Sequence, residues 1–200
     1  MNHKPDITKS NPCPPCPPTA TAFEKCVYWL GIGLGSGLPK KAPGTWGTVG
    51  GLLVALPMFA LGFWGFLAIT IVGFLVGSYI CGKTSALMNT HDDPHIVFDE
   101  WVGVWIALLP TAWLVQDIIY NPTFSPFWQY IHPSVIFLLI IPFVLFRFFD
   151  IVKPFPIKWV DNNVSGGFGI LIDDVLAGLM SVLVIILGWA FVYVSFYVLT

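Results

Sequence analysis

Three short stretches of this 200-residue chain set carboxylates into otherwise apolar sequence: Asp99-Glu100, Asp150 and Asp173-Asp174. Carboxylates brought together repel one another and resist ionisation unless a cation neutralises them, and a set of hard oxygen ligands selects Mg2+, Mn2+ or Ca2+. A divalent-metal site is the chemistry this pattern points to. Acids at helix N-termini also have a plainer role, because they cap free N–H groups and meet the favourable end of the helix dipole. That role covers Asp99 or Asp173 alone. It does not cover adjacent acids at two helix starts, nor Asp150 at a helix C-terminus, where the dipole opposes it. Arg147 and Asp150 stand at i, i+3, so an ion pair is a second account of that one acid.

Phosphate-seeking groups accompany the acids. Arg147, Lys153 and Lys158 bracket Asp150, and Pro154 and Pro156 stop the helix there so that the chain turns along a surface. Upstream, a Gly-rich stretch over residues 31–51 holds Ser36, Lys40, Lys41, Thr45 and Thr48. Its free N–H groups, with a helix starting near Thr48, would cradle a phosphate. The same glycines serve equally well as helix-packing contacts, with Thr48 as an N-cap. His91 in the run HDDPH is a possible acid or base and His95 a weaker one, although both also fit a turn. Residues 77–84 satisfy the GxxxxGK[ST] pattern letter for letter, but they end an apolar helix rather than join a strand to one, so a nucleotide-binding loop is rejected.

The elements that must hold these groups are membrane spans. The chain is 56% hydrophobic and only 10% charged, with nine Trp and seventeen Phe, far outside the soluble globular range. Residues 42–82 carry no charge, too long a run for one crossing of ~20 residues. The pattern therefore predicts a hairpin at residues 61–65 between a short helix over 48–60, bent at Pro57, and a second over 64–88. Gly73 and Gly77 on the second have the spacing of a close helix contact. Further spans are expected from Asp99-Glu100 to residue 115, over 135–149 and over 175–199. The fold class is thus all-α: a polytopic membrane helical bundle of about five apolar helices, some short or re-entrant, with a polar site at its cytoplasmic face. On this count Lys40, Lys41, Lys83, Arg147, Lys153 and Lys158 share one side, which the positive-inside rule makes cytoplasmic. Residues 121–133, rich in Phe, Trp and Tyr and carrying His132, then form an outer aromatic loop.

Residues 1–22 hold six prolines and few large apolar side chains, so a disordered Pro-rich cytoplasmic tail is expected before a membrane domain over 23–200. No apolar core of a cleaved signal peptide is present in it. Cys13-Pro-Pro-Cys16 has metal or redox spacing, yet only His3 lies near it in sequence, short of the four ligands zinc takes. No structural disulfide is expected among Cys13, Cys16, Cys26 and Cys81.

Three blocks, GSGLPKKAPGTWGT, HDDPHIVFDEWVGVW and FRFFDIVKPFPIKWVDNNVSGGFGILIDDVLAG, closely resemble the signature blocks of phosphatidylglycerophosphatase A, a family of bacterial membrane enzymes. The likeness covers nearly the whole chain from Gly31 to Gly178, with the blocks in order; the Pro/Cys tail and the aromatic loop lie outside it. The resemblance implies Mg2+-dependent hydrolysis of the phosphomonoester of phosphatidylglycerophosphate to phosphatidylglycerol and phosphate. It implies a multi-pass protein of the bacterial inner membrane whose site faces the cytoplasm, with a membrane phospholipid as partner and no nucleic acid. The family's motif acids map to Asp99, Glu100, Asp150, Asp173 and Asp174. The metal ligands are then expected among Asp99, Glu100, Asp173 and Asp174, and the phosphate contacts at Ser36, Thr45, Arg147 and Lys153. Neither a C-x5-R nor a D-x-D-x-T nucleophile motif occurs, which favours direct attack by water, with Asp150 as the alternative nucleophile. A small divalent-cation or proton transport protein using the same acids is the competing class.

Overall fold

Residues forced out of right-handed helical space cut the apolar sequence into helices: Leu34 (φ 51°), Ala42 (50°), Gly62 (69°), Asn89 (53°), Lys153 (45°) and Gly166 (78°). The computed structural model describes residues 12–90, 93–120 and 133–198. Its helices are α1 (Ala22–Gly31), α2 (Pro43–Met58), α3 (Gly62–Met88), α4 (Phe98–Ala107), α5 (Leu109–Tyr120), α6 (Pro133–Val152), α7 (Ile157–Asn163) and α8 (Gly166–Val198). No strand occurs among the described residues. The outer aromatic loop with His132, and the tail up to residue 11 with His3, lie outside them.

The bundle is built around α4, whose every residue from Phe98 to Ala107 is buried. Helices α2, α3, α6 and α8 pack around it. Its Trp105 indole donates to Gly51 O on α2 at 2.9 Å and lies 2.9 Å from where a Cβ on Gly73 of α3 would stand. Residues 51 and 73 on one straight helix would be ~33 Å apart at 1.5 Å per residue, so the chain reverses between them. The reversal falls at a single 3-10 turn, Phe59–Leu61, and at Gly62, with the Phe59 and Phe66 rings 5.0 Å apart across it. The expected hairpin is present.

Among the described residues two stretches are long and apolar enough to cross a membrane by length and composition, Pro43–Met88, which holds the reversal, and Gly166–Ser195; the pair α4 and α5, bent by 49°, makes a third if taken as one span. The bend has a local cause. Pro110 lacks an N–H and its ring crowds the carbonyl four residues back, which ends α4 at Ala107. A single straight span over 99–115 was expected, and the proline overrides it. Outward-facing Ile71, Val72, Leu75 and Val76 of α3 and Leu179, Leu183 and Leu187 of α8 are exposed, a surface suited to lipid rather than water.

Two boundaries differ from the sequence reading in ways that matter below. Helix α8 begins at Gly166 rather than near residue 175, so Asp173 and Asp174 stand two turns inside it. Residues 157–163, which follow the two prolines expected to turn the chain along a surface, form the short helix α7. At the other edge, α1 starts with a capping box in which Thr21 Oγ1 accepts from Glu24 N at 3.3 Å and Thr21 N donates to Glu24 Oε2 at 2.9 Å. The Lys83 ammonium at 2.8 Å, with help from Thr21, holds the Glu24 carboxyl down at about 2. Tyr28 Oη donates to Pro14 O at 2.7 Å, and Cys13 Sγ lies 3.5 Å from the same hydroxyl.

Helices α3 and α8 meet at Gly82 and Gly167 so closely that a Cβ on Gly167 would stand 2.0 Å from Ser78 O and 2.6 Å from Gly82 N. Gly167→Val should therefore destabilise by at least ~1–3 kcal/mol and visibly lower the thermal midpoint of the detergent-solubilised protein. Gly188→Ala, where nothing lies within 4 Å of the new methyl, should leave that midpoint nearly unmoved.

Candidate metal and phosphate site

The first turn of α4 carries Asp99 and Glu100 into the seam where α4 meets α8. One oxygen each from Asp99, Glu100 and Asp174 lie within 4.8 Å of one another, and all three residues are buried. Two glycines make this closeness possible. Gly103, one turn along α4, leaves room for Asp174 O, which would sit 2.9 Å from a Cβ there. Gly44, in the first turn of α2, leaves room for Glu100 Oε1, which would sit 2.5 Å from its Cβ. Any side chain at Gly44 would push Glu100 out of the cluster.

Burying three carboxylates at this separation is unfavourable unless a cation joins them. Glu100 Oε2 is buried and has no hydrogen-bond partner among the described residues, an acceptor for which the protein supplies no donor. An all-oxygen carboxylate set with a spare buried acceptor fits a hard divalent ion such as Mg2+ or Mn2+. The cluster can hold a metal ion.

Two cations flank the cluster. Arg147, near the end of α6, places Nη1 2.6 Å from Asp150 Oδ2 and 3.3 Å from Thr48 Oγ1, and both its terminal nitrogens would lie 3.5 Å from a Cβ on Gly44. The guanidinium thus sits over the first turns of α2, beside Glu100. Lys153 adopts φ 45° just past α6, and its Nζ donates to Asp161 Oδ1 at 3.0 Å and to Asp173 Oδ2 at 2.5 Å. Burial pulls the Lys153 ammonium down, but the carboxylates of Asp173 and Asp161 outweigh it and hold it above the usual lysine range.

The five acids singled out from sequence thus divide by direction. Asp99, Glu100 and Asp174 converge; Asp173 faces Lys153; Asp150 faces Arg147. Asp173 and Asp174 are neighbours on α8, yet only Asp174 turns to Asp99 and Glu100, while Asp173 turns to Lys153. Ser36 Oγ does not join them. It is buried beside Gly33 and Gly50, and neither it nor the nearby Trp101 Nε1 has a hydrogen-bond partner among the described residues. Thr45 is half-buried in the first turn of α2, where its N–H donates to Ala42 O at 3.0 Å. His91 lies outside the described residues. His95 is buried with Nδ1 2.7 Å from Asp93 Oδ1, and Lys158 is exposed on α7.

Thr48 was read as part of a phosphate cradle or, more plainly, as an N-cap. Helix α2 in fact begins five residues earlier at Pro43, and Thr48 Oγ1 donates to Gly44 O at 2.8 Å while accepting from Arg147. Pro at N1 was the available signal for the earlier start. The geometry separates the two neighbours on α8: Asp174→Asn should abolish Mn2+ binding in the spectrum of the free ion by electron paramagnetic resonance, whereas Asp173→Asn should retain it within about tenfold.

The model of the family phosphatidylglycerophosphatase A matches residues 29–189. A phosphatidylglycerophosphatase A of Haemophilus influenzae is 43% identical over 160 residues, 80% of this chain and 86% of that protein. One of Escherichia coli is 36% identical over 154 residues, 77% of this chain and 78% of its own length. A relative from Bacteroides thetaiotaomicron, named for a phosphatidylinositol-3-phosphatase activity, is 33% identical over 169 residues, 80% of this chain and 92% of its own. No solved structure matches. The family match takes in every element of the site, from Gly44 and Thr48 to Asp174, and this chain belongs to the phosphatidylglycerophosphatase A family.

Proposed function

We propose that this chain hydrolyses the phosphomonoester of phosphatidylglycerophosphate, releasing phosphatidylglycerol and inorganic phosphate. The observation that carries the reading is the buried trio Asp99, Glu100 and Asp174 with Arg147 and Lys153 beside it, in a chain of this family. A phosphate monoester needs both halves of that arrangement, carboxylates for a metal and cations for the phosphoryl oxygens.

Asp99, Glu100 and Asp174 would hold Mg2+, which when bound supplies Lewis-acid polarisation of a phosphoryl oxygen and eases deprotonation of water. Arg147, aimed by Asp150 and Thr48, offers a planar fork of donors to the phosphoryl group. Lys153, steered by Asp161 and Asp173, provides a second positive charge as negative charge develops on the leaving oxygen. Thr45, at the start of α2, adds a neutral donor at the positive end of that helix. Asp150 is engaged by Arg147, which favours an aiming role and direct attack by water over a covalent aspartyl intermediate.

The same proposal covers topology. In it the chain is a multi-pass inner-membrane protein of about five apolar helices, α2, α3, the bent pair α4 and α5, α6 and α8, with its site on the cytoplasmic side; the basic residues 40, 41, 83, 147, 153 and 158 support that orientation under the positive-inside rule. The expected disordered tail is corrected for residues 12–21, where Cys13 and Pro14 pack against Tyr28 of α1; this Pro-rich segment precedes the matched family region and, on the same orientation, lies on the cytoplasmic side.

The test is phosphate release from phosphatidylglycerophosphate by the purified protein in detergent. Release should require a divalent cation, stop with EDTA and return with Mg2+. Arg147→Ala should lower kcat by ~10²–10³, with Arg147→Lys recovering only part, because an ammonium cannot span Asp150, Thr48 and substrate together. Turnover that persists in EDTA, or at near-normal rate in both Asp99→Asn and Asp174→Asn, would overturn the reading.

A further inference from the structure

The corner joining α6 to α8 exposes apolar side chains that no other described element covers. Phe155 is 81% exposed and Trp159 59%, and Ile151 and Val152 at the end of α6 are exposed beside them in the chain. Between the two aromatics Ile157 is fully buried. Helix α7 is therefore pinned to the bundle by one face, with Lys158 and Trp159 turned outward. In water this much uncovered aromatic surface is unfavourable. At a bilayer boundary it is the usual arrangement, with the rings at headgroup depth and a lysine reaching the phosphates above them. The corner also continues the exposed apolar face of α6, where Val144 and Phe148 point outward.

This corner is tied to the site. Asp161 of α7 and Asp173 of α8 share the Nζ of Lys153, and Asp173 adjoins Asp174 of the carboxylate trio. The depth at which α7 sits thus bears on the position of Lys153.

We propose that Phe155, Trp159 and Lys158 form a lipid-docking surface seated in an anionic headgroup layer, and that this seating presents the phospholipid substrate to the site. The occupant follows from the surface itself: apolar rings for the acyl boundary and a cation for phosphates, in continuity with a face that only lipid suits. The inference rests on the phosphatase reading for the identity of the substrate, but the docking surface can be tested apart from it.

The full chain is placed in vesicles of phosphatidylethanolamine and phosphatidylglycerol containing lipids brominated at shallow or at deep acyl positions. The fluorescence difference between the unaltered protein and Trp159→Phe isolates the share of Trp159. Shallow bromines should quench that share more than deep ones. A share unquenched at every depth overturns the proposal, and if the protein is then also a dimer by mass, the face belongs to a second copy. Kinetically, the double substitution Phe155→Ser with Trp159→Ser should raise KM for substrate embedded in vesicles by about tenfold. Turnover of a short-chain substrate dispersed as monomers should stay within about twofold. Equal loss on both substrate forms overturns the proposal, since it would mark a general defect of site or fold. If the unaltered protein releases no phosphate from either form, the phosphatase reading fails, and the quenching result alone decides the docking surface.

Discussion

The candidate site depends on the burial of three carboxylates at the α4–α8 seam, and the helices around it must hold them there. Asp99, Glu100 and Asp174 come together within 4.8 Å in a bundle whose other buried residues are mostly apolar. Each such charge costs several kcal/mol to remove from water unless it is compensated. Such a cluster adds nothing to the stability of the surrounding helices by itself, and a bound cation would offset the charge, which is why we propose it as a metal site. The flanking cations follow the same logic, each bound to an acid outside the cluster that fixes its direction.

The helices serve the cluster by coming unusually close. Gly44 and Gly103 omit the side chains that would separate Glu100 from α2 and Asp174 from α4, and Gly167 does the same between α8 and α3. Between such contacts the packing is aromatic: Phe98, Trp101 and Trp105 stand 6.0 to 6.3 Å from one another along α4. Rings of this size hold α2 and α3 apart on either side of α4, which is why the α2–α3 hairpin straddles the central helix instead of closing on itself.

Much of the fold was legible because apolar runs in a membrane protein must form helices: every backbone polar group needs a partner within its own segment. The hairpin near residues 61–65 follows from that rule and from length alone. What could not be read were boundaries set by local chemistry. Pro110 broke an apolar run whose hydropathy is unchanged across it, and α8 extends back through Gly-Gly-Phe-Gly, a sequence with poor helix propensity that tertiary contact with α3 stabilises. At the site, residue type and spacing pointed to the acids as a group. Only the direction of each side chain separates Asp174 from Asp173, and that direction depends on where α8 starts and which face meets α4. Ser36 shows the converse, since a hydroxyl in a Gly-rich stretch suggests phosphate binding, yet the 3-10 turn Gly33–Gly35 places its oxygen beside Trp101.

The central claim is that one divalent ion sits among Asp99, Glu100 and Asp174. Anomalous diffraction at the manganese edge, from crystals of the Mn2+-loaded protein, tests it most directly. The account predicts a peak ~2.0–2.3 Å from an oxygen of each of these three residues, with Asp173 still on Lys153. A peak on Asp173 or Asp150, or a trio that remains metal-free at Mn2+ concentrations supporting turnover, would contradict it.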